Sequence, residues 1–183
     1  MSNMFAKEDM AKILFSEQEI QTRVKELAKQ ISDDYRGLDP VFIGVLRGAV
    51  IFYTDLIKCT DIHMEMNFLA ISSYGDGIES SGEVRIQYDM QESIKGRHVV
   101  VIEDIIDTGL TISHLKEILA ARHPASVKVC TLLDKPSRRK VEVTGDYVGF
   151  EVPNEFVVGY GLDYAGKYRN LNYIGVLKPT VYE

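Results

Sequence analysis

Val99-Val100-Val101-Ile102-Glu103-Asp104-Ile105-Ile106-Asp107-Thr108-Gly109-Leu110-Thr111 is an apolar run that ends in acids and turns through a glycine. Its first four residues read as a buried parallel strand, and residues 111–121 beyond it read as a helix. In open α/β sheets, the crevice outside the carboxyl ends of the strands is where ligands bind. Residues 107–111 would present backbone N–H groups at a helix N-terminus. Gly109 would permit close approach, and the hydroxyls of Thr108 and Thr111 would add donors. The segment therefore predicts a cup for a phosphate monoester.

Glu103 and Asp104 would repel an anion in that same cup, so they are expected to face elsewhere, towards sugar hydroxyls or a magnesium ion. Acids also cap helices and favour their positive ends, but one residue suffices for that. Three carboxylates beside one phosphate cup suggest a sugar phosphate with a metal.

Working outward, residues 127–133 return as a strand, which completes a βαβ succession and implies a parallel sheet flanked by helices. Upstream, Ser16 followed by Glu19 makes a capping box, and Ile20, Val24, Leu27, Ala28 and Ile31 fall on one helical face, predicting a helix over 16–31. After Pro40, residues 41–45 read as another buried strand, leading through Leu46-Arg47-Gly48 into a helix reaching about residue 58. Alternation then predicts two half-exposed strands. One has Met64, Met66 and Phe68 on its apolar side, and the other has Val84, Ile86 and Tyr88. Between them, residues 72–82 hold three glycines and four serines, too many for a regular element and too long for a hairpin, which predicts a lid. Shorter strand-like pieces at 147–150, 156–158 and 173–176 occupy the last third.

The chain has 183 residues, 45% of them hydrophobic, which suits one compact domain with a real core. Its net charge of −6 argues against a general nucleic-acid binder, because such proteins need a basic face. Cys59 and Cys130 show no CxxC or zinc spacing and are expected to be reduced thiols. The first ten residues do not read as a signal peptide, and no apolar run of ~18 or more residues is present to span a membrane. A cytoplasmic protein without membrane contact is the expectation. His63, His98, His114 and His123 lack paired spacing and read as structural.

On these motifs the chain resembles the type I phosphoribosyltransferases, whose binding motif for phosphoribosyl pyrophosphate (PRPP) is two acids, two aliphatics, then Asp-Thr-Gly-x-Thr. Other segments narrow the resemblance to the hypoxanthine-guanine family: Leu46-Arg47-Gly48 is similar to its pyrophosphate loop and Ser73-Tyr74 to its lid. Leu132-Leu133-Asp134-Lys135, residues 148–153 and residues 156–164 are similar to its purine-binding end. The resemblance implies an α/β fold with a mostly parallel twisted sheet flanked by helices. It implies one domain over 1–183, with a core at about 36–150 and a small hood built from the N-terminal segment and about 151–183. The implied reaction moves the phosphoribosyl group of PRPP to N9 of hypoxanthine or guanine, giving IMP or GMP and pyrophosphate, with magnesium as cofactor and a homodimer or homotetramer as the assembly.

By the same resemblance, Leu46, Arg47, Gly48, Glu103, Asp104, Asp107, Thr108, Gly109, Leu110 and Thr111 would hold PRPP, with a cis peptide implied between Leu46 and Arg47. Asp107 would be the base near N7 of the purine, Lys135 would donate to its O6, Phe156 would stack on it, and Val157 and Asp163 would line its edge. Glu103, Asp104 and Asp163 would form the metal shell, Arg169 would contact pyrophosphate, and Ser73 and Tyr74 would ride on the lid. Taken alone, Lys135 beside Arg138, Arg139 and Lys140 reads as solvated surface, Phe156 as core, and Asp163 and Arg169 as members of surface salt bridges. Glu155 departs from the family, some members of which carry a basic residue there.

Two rivals remain weaker. A regulatory PRPP-binding protein that binds nucleic acid would need a basic surface. A different nucleotide-binding α/β protein would need a G-x-x-x-x-G-K-[ST] loop or a third glycine after Gly159-Tyr160-Gly161, and neither is present. Xanthine or broader 6-oxopurine specificity stays open, since a group near C2 of the base decides it.

Overall fold

A computed structural model describes residues 6–73 and 84–182. The expected lid, including Tyr74, lies outside the described residues, and of Ser73 only the backbone is described.

The buried strands predicted from unbroken apolar runs form the middle of a six-stranded sheet. Their ranges are β2 (Val41–Leu46), β5 (His98–Ile106) and β6 (Ser126–Asp134), with β3 (Glu65–Ser73), β4 (Val84–Tyr88) and β7 (Tyr147–Glu151) outside them. The order is β4-β3-β2-β5-β6-β7, parallel throughout except that β4 runs antiparallel to β3. From β2 the chain winds one way to β3 and β4, then returns to β5 and winds the other way. The topological switch point therefore falls between β2 and β5, where a crevice opens at the strands' carboxyl ends.

Helix α1 (Glu17–Asp34) begins at the predicted capping box: the Ser16 side chain accepts from the Glu19 N–H, and the Glu19 carboxylate accepts from the Ser16 N–H at 2.8 Å. Its stripe of Ile20, Val24, Leu27, Ala28 and Ile31 is fully buried with Phe42, Phe52, Tyr53 and Leu56, the last three from helix α2 (Val50–Cys59). Helix α3 (Leu110–Ala120) covers the opposite face of the sheet through Ile112, Leu115 and Leu119. Replacing Ser16 by alanine removes the side-chain half of the capping box and leaves the backbone half in place. The expected result is a loss of ~1 kcal/mol, read as a lower urea midpoint at unchanged slope.

A second sheet of three strands, β1-β9-β8, joins the two ends of the chain: β1 (Met10–Phe15), β8 (Val157–Val158) and β9 (Ile174–Leu177). Its own apolar cluster contains Ala6, Met10, Val158, Tyr168, Leu171 and Leu177, and a short C-terminal helix α4 (Pro179–Tyr182) packs beside it. Of the N-terminal segment, only β1 enters this sheet; α1 packs on the main core, because its five-residue apolar stripe needs the larger surface of α2 and the six-stranded sheet.

Two sequence expectations differ from the structure. Met66, assigned to the buried side of β3, is 53% exposed. Strand β4 pairs only with Ala70–Ser73, so among the described residues the first half of β3 has no strand partner on that edge. The acids Glu103 and Asp104 do not follow the strand but belong to it, since β5 runs on to Ile106 through its pairing with β6. Among the described residues, no helix is long and apolar enough to cross a membrane. Cys59 and Cys130 are both free thiols.

Candidate active site

The turn from β5 into α3 contains the predicted cup. Gly109 is the N-cap of α3 at φ +83°, a left-handed conformation that favours glycine, and a Cβ there would press on Arg139 and Val143. The first-turn N–H groups of an α-helix have no partner within the helix, which at this turn leaves those of Thr111 and Ile112 without an intrahelical acceptor. The Leu110 N–H lies 3.4 Å from Thr108 Oγ1. Residues 103–109, Thr111 and Ile112 enclose a cavity of about 240 Å³.

Three carboxylates border it with different surroundings. Glu103 is buried; its Oε1 accepts from the Asp104 N–H at 3.2 Å, while Oε2 is buried without a hydrogen-bond partner. Burial, and next the neighbouring Asp104 carboxylate, hold the Glu103 carboxyl well above the usual carboxylate range. Burial also raises Asp104, against the hydrogen bonds it accepts and the positive charge of Arg169. Asp107 Oδ1 is buried and lies 3.3 Å from Arg138 Nε, outside hydrogen-bond geometry.

The loop after β2 closes the crevice from the other side of the switch point. The Leu46–Arg47 peptide is cis, as the resemblance implied. Gly48 lies directly against Asp104: a Cβ on it would fall 1.6 Å from Asp104 Oδ2. Gly161 in turn rests on this loop, since its Cβ would fall 2.0 Å from the Gly48 carbonyl oxygen. Arg169 donates to the Gly161 carbonyl at 2.6 Å and forms an ion pair with Asp163 at 2.6 Å. Asp163 also accepts from the Gly166 N–H at 2.8 Å.

A larger cavity, about 520 Å³, opens on the far side of Asp107. It lies in the size range of small-molecule sites. Asp107 and Ile105 line both cavities, and Lys135, Phe156, Val157, Leu162 and Asp163 line the larger one. Lys135 is only 5% exposed; its ammonium donates to the Glu155 carbonyl at 2.9 Å, and burial lowers its pKa. Glu155 points its carboxylate at Lys12 of β1, 2.9 Å away, so the acidic departure is matched by a base on the neighbouring strand.

The sequence-predicted residues thus separate into two joined groups. Glu103, Asp104, Asp107 and Thr108 come together with Gly48 and Arg169 nearby; Lys135, Phe156, Val157 and Asp163 come together around the larger cavity. Among the described residues no group of three or more metal-binding side chains stands together, and Asp163 is paired with Arg169 and accepts from the Gly166 N–H. The sequence reading missed Arg139. Its guanidinium donates to the carbonyls of Ile106 at 3.0 Å and Asp107 at 2.7 Å and pairs with Asp134, so it braces the cup from behind. Within the run 138–140 nothing in the sequence distinguishes it from its solvated neighbours.

Comparison with known proteins agrees with this geometry. The phosphoribosyl transferase domain family matches residues 10–165. The chain is 56% identical over 177 residues to the hypoxanthine-guanine phosphoribosyltransferase of Bacillus subtilis, covering 97% of this chain and 98% of that protein. It is 55% identical over 174 residues to the bifunctional protein TilS/HprT of Listeria monocytogenes, where it covers 95% of this chain but spans only 27% of that longer protein. The crystal structure of a hypoxanthine phosphoribosyltransferase from Staphylococcus aureus superposes over 100% of both chains with a TM-score of 0.96 at 46% identity. A switch-point crevice with an Asp-Thr-Gly-x-Thr cup, on a chain matched this widely, places the protein in the phosphoribosyltransferase family, within its hypoxanthine-guanine group.

Proposed function

We propose that the chain transfers the phosphoribosyl group of PRPP to N9 of hypoxanthine or guanine, releasing pyrophosphate and IMP or GMP, as a purine-salvage enzyme of the cytoplasm. The observation that carries this reading is Asp107, which lines both the phosphate cup and the larger cavity. A group at that junction touches the two reactants where they meet.

In this reading the 5-phosphate sits in the cup of residues 107–111, bound by backbone N–H groups at the start of α3. Arg47 and Arg169 flank the pyrophosphate with planar donors. The base occupies the larger cavity, stacked on Phe156 with Val157 at its edge, and Lys135 donates to its O6. As the C1′–oxygen bond to pyrophosphate breaks and the N9–C1′ bond forms, the ring loses the N7 proton, and the Asp107 carboxylate accepts it. Positive charge grows on the ribose meanwhile, and the acids Glu103 and Asp104 lie beside it.

Magnesium fits the residues present. Glu103 Oε2 is a buried oxygen lacking a partner, and the crowded carboxyl pair it forms with Asp104 would be relieved by a divalent cation. Two carboxylates are the usual protein share of a magnesium site, with phosphate and water filling the rest. Bound there, the ion would supply charge neutralisation to the departing pyrophosphate. Asp163, which lines the larger cavity and pairs with Arg169, would complete the metal shell with Glu103 and Asp104 and also border the purine edge. The whole chain, 1–183, acts as one domain in which the three-stranded sheet is the hood over the site, and it assembles as a homodimer or homotetramer.

The test is nucleotide formation from PRPP, magnesium and each of hypoxanthine, guanine, xanthine and adenine. Turnover of hypoxanthine and guanine is expected, with none of adenine, which offers Lys135 no acceptor at position 6. PRPP binding without turnover of any base would replace this reading with a regulatory one.

A further inference from the structure

The Phe156 ring is held by two tyrosines that the scheme above does not use. Tyr182, from the C-terminal turn α4, stacks on it with ring centroids 4.9 Å apart and planes 24° from parallel. Tyr164 meets it edge-on at 5.5 Å and 88°. The two tyrosines also touch each other, edge to face at 6.4 Å. Phe156 nonetheless stays 38% exposed, and both Phe156 and Tyr182 line the larger cavity. An aromatic ring has two faces, and Tyr182 covers one of them.

We infer that Tyr182 is a positioning residue for the base: it clamps one face of Phe156 so that the other face is fixed for stacking on the purine. This rests on the assignment of the larger cavity to the base. Two observations favour a clamp over a plug that the purine must expel. Tyr182 packs with Val181, Tyr164 and Tyr173 against the hood cluster of Val158, Tyr168 and Leu171, so its ring is anchored in apolar structure. The segment that carries it is tied down as well: the Lys178 N–H donates to the Asp9 carbonyl at 2.9 Å, and the Lys178 ammonium donates to the Glu8 carbonyl at 2.6 Å. A purine arriving on the far side of Phe156 would extend an existing stack of Tyr182 on Phe156. Without the clamp, Phe156 would have to be ordered by the base itself, and that cost would fall on binding.

The experiment compares Tyr182→Ala and Tyr182→Phe with the unaltered chain, measuring KM for hypoxanthine at saturating PRPP, KM for PRPP at saturating hypoxanthine, and calorimetric binding of IMP. Aromatic pairs of this geometry have a strength that corresponds to about 2- to 12-fold in affinity. Tyr182→Ala is therefore expected to raise the hypoxanthine KM and weaken IMP binding by that factor, with the PRPP KM unchanged, and Tyr182→Phe to match the parent on every measure, since the hydroxyl plays no part in the stack. A lower hypoxanthine KM in Tyr182→Ala would show that the ring is a plug, and an unchanged KM, or equal rises for both substrates, would likewise overturn the clamp. Failure of the unaltered chain to turn over hypoxanthine would count against the assigned function instead, and the IMP ratio would still decide the clamp.

Discussion

Asp107→Asn is expected to lower turnover of hypoxanthine by about 10²- to 10⁴-fold, the usual share of a positioned proton acceptor, while PRPP binding stays near that of the parent. The two parts of this result come from different atoms of one residue. Asp107 contributes its backbone to the turn, where Arg139 holds its carbonyl, and asparagine leaves that untouched. Its side chain projects to the boundary between the cavities, with Oδ1 buried and lacking a hydrogen bond. Asparagine keeps the shape of that side chain but cannot take up the proton released from the base. Calorimetry with PRPP and steady-state turnover of hypoxanthine separate the effects. Turnover within threefold of the parent would place the proton acceptor elsewhere, and a parallel loss of PRPP binding would mean that the carboxylate shapes the cup rather than receiving a proton.

Much of this site is legible in the sequence because its chemistry and its fold are written in the same residues. From Val99 to Thr111 the apolar run that makes a buried strand leads into the acids proposed for the site, and the glycine that permits the turn is the one proposed to admit the phosphate. Strand β1 is not legible in that way. Met10–Phe15 is interrupted by Lys12, and its sheet partner among the described residues, β9, lies some 160 residues further on, so nothing local marks it as a strand. The same distance hides the relations that close the site. Gly161 on the Gly48 carbonyl, Arg139 on the Asp107 carbonyl and Tyr182 on Phe156 are each contacts between segments whose own composition is unremarkable. Asp163 adds a local case: its ion pair with Arg169, six residues on in the same segment, is not written in the motif that singles it out.

Gly48→Ala is expected to raise KM for PRPP by about 10²-fold with little change in the affinity for IMP's base portion. A methyl group at residue 48 would stand 1.6 Å from Asp104 Oδ2, where an ordinary contact needs more than 3 Å, so either the loop or the carboxylate must move by more than 1 Å. The loop is pinned from above by Gly161, whose own backbone is held by Arg169, and it has little room to retreat. Asp104 is the more movable partner, though its Oδ1 is held by the Ile105 N–H at 2.7 Å. Misplacing a substrate-positioning group by about 1 Å costs on the order of 10²-fold. A double-mutant cycle assigns the cause: if the loss arises at the Gly48–Asp104 contact, Gly48→Ala added to Asp104→Ala should cost far less than Gly48→Ala alone, because the methyl then meets empty space. Additive losses would mean that the methyl group acts on the loop itself, through Gly161 and Arg169, and that Asp104 is a bystander to the glycine at residue 48.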